Sequence, residues 1–380
     1  MKKILERWQR IFTGKKMHLQ EILHSLNTLA PSCYQESYDN SRLLCGDPNQ
    51  EINAALLSLD CTEAVVDEAI ARGCDVIIAH HPIVFKGLKS LTGQTYVERV
   101  IIKAIQHQIA LVAVHTNLDN QLAGVNQLIA SRLGLEKTRI LRPMENTLEL
   151  LYVYVPQTHR EVLEKALFEA GAGHIGLYDQ CSFVYPGSGS FRPLAGANPV
   201  LGQVGEREWV QEDKVEVVVQ QHTRSAVLKA LRAAHPYEEI AYGMLALRNS
   251  NQTLGAGMIG ELPKAMSTVE FLQWVKTQLK TDCIRHTDAI DRPIKTVALC
   301  GGSGSFLLND AKNQGADAYV SADFTYHQFF DAEGQIMIAD IGHFESEQFT
   351  PEIFYAYLSK KYPKFAFHFS TVNTNPVHYF

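Results

Sequence analysis

Six short runs constrain this chain more than anything else in its sequence. AALLSLD (54–60), DVIIAHH (75–81), ALVAVHTNLD (110–119), KTVALCGG (295–302), DAYVSAD (317–323) and QIMIADIGH (335–343) are of strand length, rich in Val, Ile or Leu, and apolar on both faces. A strand with two apolar faces needs cover on both, which is the situation of a parallel strand buried in an α/β sheet. Helical patterns lie between the runs. The runs fall into two blocks, 17–146 and 251–380. With 46% hydrophobic residues in 380, the chain can fill the cores of two or three domains.

The two blocks resemble each other. AIARGCDVIIAHH (69–81) lines up with AKNQGADAYVSAD (311–323), so that Gly73 falls on Gly315 and Asp75 on Asp317, both 242 residues on. The same shift sets Leu57 on Leu299. One register across two strands and a helix suggests a duplication, although a shared β-α-β plan also produces such matches.

The middle block, 147–250, reads differently. LELLYVYVP (148–156) and KVEVVVQQH (214–222) each precede a helical pattern, REVLEKALFEAG (160–171) and RSAVLKALRAAH (224–235). Each helix leads to a further strand, YDQCSFVYPG (178–187) and EIAYGMLALR (239–248). Two β-α-β units in succession predict a ferredoxin-like α+β domain inserted into the α/β chain. The Gly- and Pro-rich stretch 188–212 reads as a long loop, and Gly187–Arg192 as a flexible connector.

Charge and cysteines narrow the class. A net charge of −6 gives no general attraction to nucleic acid or anionic membrane. No apolar run is long enough to span a bilayer. Seven cysteines, with no C-x-x-C pair, argue against a disulfide framework and a thiolate zinc site, and a reduced cytoplasm is expected. Residues 1–16 are basic and lack the apolar stretch of a signal peptide, so they read as an N-terminal extension.

Ligands of open α/β sheets bind beyond the carboxyl ends of the strands. Here those ends carry His80-His81, then His115 through Asp119, then Asp323 followed by His327, then His343 through Glu347. Taken singly, each has an ordinary structural reading. Adjacent histidines at a strand end diverge and can reach two different ions. His343 and Glu347 share a face if the segment opens a helix, though such pairs are common on surfaces. Asp119 can equally cap a helix beginning near Val125.

Together, imidazoles and carboxylates with no thiolate nearby make an N/O metal cluster. Their number exceeds the need of one tetrahedral ion with an open position and suits two ions about 3.5–4 Å apart. Glu347, with its longer arm, is the better bridge. His115, Asp323 and His327 are then expected as orienting or proton-carrying groups beside the ligands.

Weaker features remain. Gly301-Gly302-Ser303-Gly304-Ser305 can cradle a phosphate or form a plain turn. Lys86 and Lys89 can meet an anionic substrate or simply lie in solvent. His235 through Glu239 reads as a polar turn before a strand.

These motifs, in order, resemble the Nif-three-like family, the GTP cyclohydrolase 1 type 2 homolog group. Gln35-Glu36-Ser37-Tyr38-Asp39-Asn40 is similar to its N-terminal signature. IIAHHPIVFK around His80 and His81, then His115-Thr116-Asn117-Leu118-Asp119, then Gly342-His343-Phe344-Glu345-Ser346-Glu347 are similar to its metal motifs. The segments CSFVYPGSGSFRP (181–193) and HPYEEIAY (235–242) resemble a PII-like, CutA-like insert. Arg42 and Ala322 stand where glycine is usual in the family.

The resemblance implies two similar α/β lobes facing a dimetal cleft. His80, His81, Asp119, His343 and Glu347 are its implied ligands, for two divalent ions per chain. Zinc is the first choice of metal, with iron, manganese, cobalt or nickel as others. It also implies a toroidal homohexamer and the opening of a GTP ring.

With the resemblance added to the metal cluster, the expectation is a metal-dependent hydrolase acting on a nucleotide or another small heterocycle. The alternative is a metal- or metabolite-sensing ring protein without turnover.

Overall fold

The computed structural model describes residues 16–380, so the expected N-terminal extension lies outside the described residues except for Lys16. By contacts the described chain divides into two compact units. One joins the stretch up to Arg142 with Thr253–Phe380, and the other is Pro143–Gln252.

The first unit is a mixed α/β structure with two large sheets. The five-stranded sheet runs in the order Ala366–Phe369, Ala54–Ser58, Val76–Ala79, Ala110–Ala113, Leu43–Cys45. Its first four strands are parallel, and the last is antiparallel. Leu56, Leu57, Val76, Ile77 and Ile78 are fully buried, as strands apolar on both faces require. Such burial contributes roughly 1.5–3 kcal/mol per large side chain.

Helix Glu63–Arg72 connects the first two central strands. Thr62 caps its N-terminus by accepting from the Val65 N–H, and Gly73, at φ 66°, ends it in the left-handed region.

The six-stranded sheet runs Arg285–His286, Met337–Asp340, Ala318–Ala322, Ile294–Ser303, Asn251–Met266, Glu136–Met144. Its central strands Ile294–Ser303, Ala318–Ala322 and Met337–Asp340 are parallel.

The repeat read in the sequence has a structural counterpart. Asp75 Oδ2 accepts the N–H of Asn53 and lies 3.4 Å from that of Ala54. Asp317 Oδ2 accepts the N–H groups of Lys295 and Thr296, at positions 242 further on. Ala55 pairs with Val76, and Val297 with Ala318, in the same register. Gly73 and Gly315 both take positive φ, at 66° and 73°. In each sheet an aspartate at the start of one parallel strand thus fixes the start of its neighbour.

The second unit has one antiparallel sheet in the order Tyr242–Leu247, Leu148–Pro156, Glu208–Gln220, Ser182–Phe191. Helices Arg160–Glu169 and Arg224–Ala234 supply Leu163, Leu167, Val227 and Leu231 to its core.

One expectation is corrected here. Gly187–Phe191 is not a connector but the second half of a strand, paired with Glu208–Glu212. Glycine serves that strand by leaving room. A Cβ on Gly189 would lie 2.0 Å from Oε2 of Glu212.

No helix among the described residues is long and apolar enough to cross a membrane. All seven cysteines are free.

Candidate metal centre

The carboxyl ends of the two large sheets supply the site. Strand Val76–Ala79 ends in two histidines whose side chains diverge. His80 is fully buried, and its Nδ1 donates to the Val114 carbonyl at 2.8 Å. His81 places Nδ1 2.7 Å from Asp60 Oδ1 and Nε2 2.9 Å from Glu347 Oε2. Strand Ala110–Ala113 leads to His115 and the short helix Thr116–Asp119. His115 Nδ1 lies 2.8 Å from Asp39 Oδ1.

From the other sheet, strand Ala318–Ala322 ends at Asp323, whose φ of 59° turns its carboxylate toward His343. Oδ2 of Asp323 accepts from His343 Nδ1 at 2.7 Å. After strand Met337–Asp340, Gly342 at φ 90° starts the helix His343–Glu347. His343 and Glu347 are one turn apart, and their Nε2 and Oε2 atoms are 3.1 Å apart.

All four imidazoles thus engage a protein oxygen through Nδ1, which leaves Nε2 as the atom each can offer to a ligand. Nε2 of His81 and Nε2 of His343 are 3.4 Å apart. Glu347 is buried between two groups. Its Oε2 faces His81 and His343, and its Oε1 lies 3.8 Å from His80 Nε2. His80 Nε2 is in turn 3.5 Å from Asp119 Oδ1.

Two sets of close donor atoms result: His81, His343 and Glu347, and His80, Asp119 and Glu347. They share Glu347. A third set joins His80, His81 and His115. His80 Nε2 and Asp119 Oδ1 are both buried without a hydrogen-bond partner. Orphaned polar atoms in a dry site are costly, and a cation between them removes the cost. The residues therefore fit a metal ion held by nitrogen and oxygen.

The electrostatics agree. Burial pushes the His80 imidazole down to about 4, so it is neutral and able to coordinate. Burial also acts against a charge on His81, but Asp60 and Glu347 outweigh it and hold that imidazole at about 9. His343 is raised to about 11, because Asp323 and Glu347 again overcome burial. Burial opposes charge on Glu347, yet its three histidines bring its carboxyl well below the usual range. Burial and the nearby Glu347 charge push Asp119 well above that range. In the metal-free chain, protons on His81 and His343 balance the carboxylates. Ions would take their place.

Most residues singled out in the sequence meet here. His80, His81, Asp119, His343 and Glu347 surround one centre, with His115 and Asp323 beside it. Asp119 does not cap the helix Val125–Arg132, whose N-cap is Gly124.

His327 lies apart. It is exposed on the 3-10 turn Tyr326–Ala332 with its ring against Tyr326 and Phe330, and it makes no hydrogen bond to the cluster.

The first three residues of the glycine-rich run end the strand Ile294–Ser303 and so are not a plain turn. The N–H groups of Gly301 and Gly302 donate to Asn126 Oδ1 and Ser346 Oγ. A Cβ on Gly302 would come within 2.6 Å of Glu347 Oε1, so glycine there lets the strand pass beside the carboxylate. His235 in the second unit bonds the Tyr154 carbonyl and accepts the Tyr237 N–H, as a polar turn would.

Asp60 and Asp39 were missed as site residues. Asp60 ends the strand run AALLSLD, so the strand-end argument applied to it as it did to His80. Asp39 carried only the N-terminal resemblance, and no local pattern points from it to His115.

The sequence profile of the family described as Duf34/NIF3 (NGG1p interacting factor 3) matches residues 17–376. The Bacillus subtilis (strain 168) protein named GTP cyclohydrolase 1 type 2 homolog is 39% identical over 87% of this chain and 89% of its own length. A Staphylococcus epidermidis protein of the same name is 34% identical over 96% of this chain and all of its own. Among solved structures, a Bacillus cereus protein related to NIF3 superposes with a TM-score of 0.85 at 36% identity, covering 96% of this chain and 99% of that one. Staphylococcus aureus SA1388 gives 0.77 at 28% identity, with the same coverage. With the family profile spanning 17–376 and relatives of this identity, the chain belongs to the Duf34/NIF3 family.

Proposed function

We propose that the chain is a dinuclear metal protein that hydrolyses a nucleotide or another small heterocycle. The observation that carries this reading is the position of Glu347 between two donor sets, with one carboxylate oxygen toward each. In this reading His81 and His343 would hold one ion and His80 and Asp119 the other, with Glu347 available to both. Zinc is the first metal to try, and the donors suit iron, manganese, cobalt or nickel as well. A pair of divalent ions supplies Lewis acidity and an acidified water at neutral pH.

The protein's own groups do the rest. Asp60, Asp323 and the Val114 carbonyl orient the imidazoles. His115, steadied by Asp39, carries a proton to or from the substrate at Nε2. The names of the relatives support a purine nucleotide such as GTP as the first substrate to try.

The same reading takes the two sheets of the first unit as similar lobes facing the metal cleft. It takes 147–250 as a ferredoxin-like, PII-like insert, the assembly as a toroidal homohexamer and the location as the cytoplasm. The strand order of the second unit and its two helices support the insert.

The test is turnover of purine nucleotides by the metal-loaded protein beside His81→Ala. Product formed by the wild type alone supports the reading. Product that survives loss of His81 overturns the dimetal mechanism.

One observation favours a second reading, a metabolite-sensing ring protein. The second unit has its own cavity of about 600 Å³, lined by Tyr154, Phe191 and Tyr237 together with Arg192 and Glu212. Binding of small metabolites without turnover would support it.

A further inference from the structure

The last residues of the chain have no helix or strand after Ala366–Phe369, yet they are tied down at several points. The Ser370 N–H donates to the Leu57 carbonyl at 2.8 Å. Ser370 Oγ and Thr371 Oγ1 both donate to the Glu68 carboxylate. Those contacts hold the tail to the five-stranded sheet and to helix Glu63–Arg72.

The next contacts are of another kind. The Thr374 hydroxyl donates to Asp60 Oδ2, and the other oxygen of the same carboxylate holds His81 Nδ1 at 2.7 Å. Asn375 Nδ2 donates to Glu345 Oε1 at 3.0 Å, on the short helix that carries His343 and Glu347. The tail therefore touches Asp60, which holds His81, and the helix that carries His343 and Glu347. It then helps to line a cleft of about 480 Å³. Asn375, Val377 and Tyr379 line it together with His81, His343 and Arg285.

We infer that the C-terminal tail is a working part of the metal centre, with Thr374 as a positioning residue that acts on His81 through Asp60. This rests on the dimetal reading above. A carboxylate that binds an imidazole through one oxygen still turns about its Cβ–Cγ bond. Fixing the second oxygen removes that freedom and sets the direction of the imidazole lone pair. Groups behind a metal ligand act on affinity in this way. The tail's contacts with Glu68 and Leu57 have no such route to the metal, so anchoring and positioning can be separated by mutation.

The experiment uses the full chain as wild type, Thr374→Val and Thr374→Ser. Each is stripped of metal and titrated with cobalt(II), read by chelator competition and by the visible absorption of the bound ion. Thermal unfolding of the metal-free forms is measured alongside.

The wild type is expected to take two cobalt ions. Thr374→Val is expected to keep the metal-free unfolding midpoint, to lose roughly tenfold in affinity for one ion, and to show a shifted cobalt band. Thr374→Ser, which restores the donor, should return both to wild-type values.

A Thr374→Val protein with wild-type affinity and spectrum overturns the inference while leaving the dimetal reading intact. So does one whose midpoint falls while its cobalt band is unchanged, because the tail is then only an anchor. A wild type that binds no cobalt overturns both.

Discussion

Oε2 of Glu347 lies 2.9 Å from Nε2 of His81, and the two residues are 266 positions apart in the chain. Each belongs to the end of a different sheet. The contact gives the buried Glu347 carboxylate a donor, while Asp60 holds the far side of His81. Shared attraction to positive charge explains the contact. In the metal-free chain that charge is protons on His81 and His343, and in the proposed holoprotein it is metal.

Ion binding should therefore release protons. His81 and His343 titrate at about 9 and about 11 in the metal-free protein, so both are charged at neutral pH. Each must lose its Nε2 proton to coordinate. Apparent metal affinity is expected to rise with pH between 6 and 9. Calorimetric titration in buffers of different ionisation heat measures the protons released. A value of zero at pH 7 contradicts the account.

The same groups set the alkaline stability of the metal-free chain. Their folded values lie above the unfolded value of about 6.5. Their ion pairs thus stabilise fully below that pH, and the gain is lost as pH rises through about 9 and then about 11. The unfolding midpoint of the metal-free protein should fall between pH 7 and 10. His81→Gln should flatten the part of that fall near pH 9. Equal slopes in both proteins would count against the assigned charges.

Asp323→Asn should weaken metal binding about 10- to 100-fold with little effect on the fold. Asparagine tolerates the left-handed backbone that Asp323 adopts at φ 59°. It cannot draw the His343 Nδ1 proton as a carboxylate does. Asp317→Ala should do the opposite. It leaves the Lys295 and Thr296 N–H groups without their acceptor, costing about 1–3 kcal/mol, and spares the metal. Chemical unfolding and metal content, measured on both variants, separate the two roles.

Gly302→Ala tests the close approach at the bridge. The new Cβ would lie 2.6 Å from Glu347 Oε1, on a backbone with φ 59°. The left-handed strain alone costs about 1–2 kcal/mol, and the displaced carboxylate should release metal as well. Metal content equal to wild type would show that Glu347 can move without consequence.

Much of this centre was legible because polar residues at the ends of apolar strands stand out. His80, His81, Asp119 and His343 follow directly from that pattern, and Glu347 follows from its helical spacing to His343. The 242-residue repeat was legible for the same reason, through Asp75 and Asp317. Other features were not. His327 follows Asp323 closely, but a 3-10 turn points it to solvent, and chain proximity cannot show that. Gly187–Phe191 looked like a loop because glycine usually marks one. It is a strand through its pairing with Glu208–Glu212, a partner the local sequence does not show. The tail around Thr374 has no periodicity at all, and its part near the metal comes only from tertiary contact.

The most direct test of the central claim is elemental analysis of the purified protein, wild type beside Glu347→Gln, with metals counted per chain after reconstitution. The account predicts close to two ions in the wild type and a marked loss in the variant, since the amide cannot bridge as a carboxylate does. A wild type without stoichiometric metal would contradict it. The five residues would then be a buried polar cluster held together by protons.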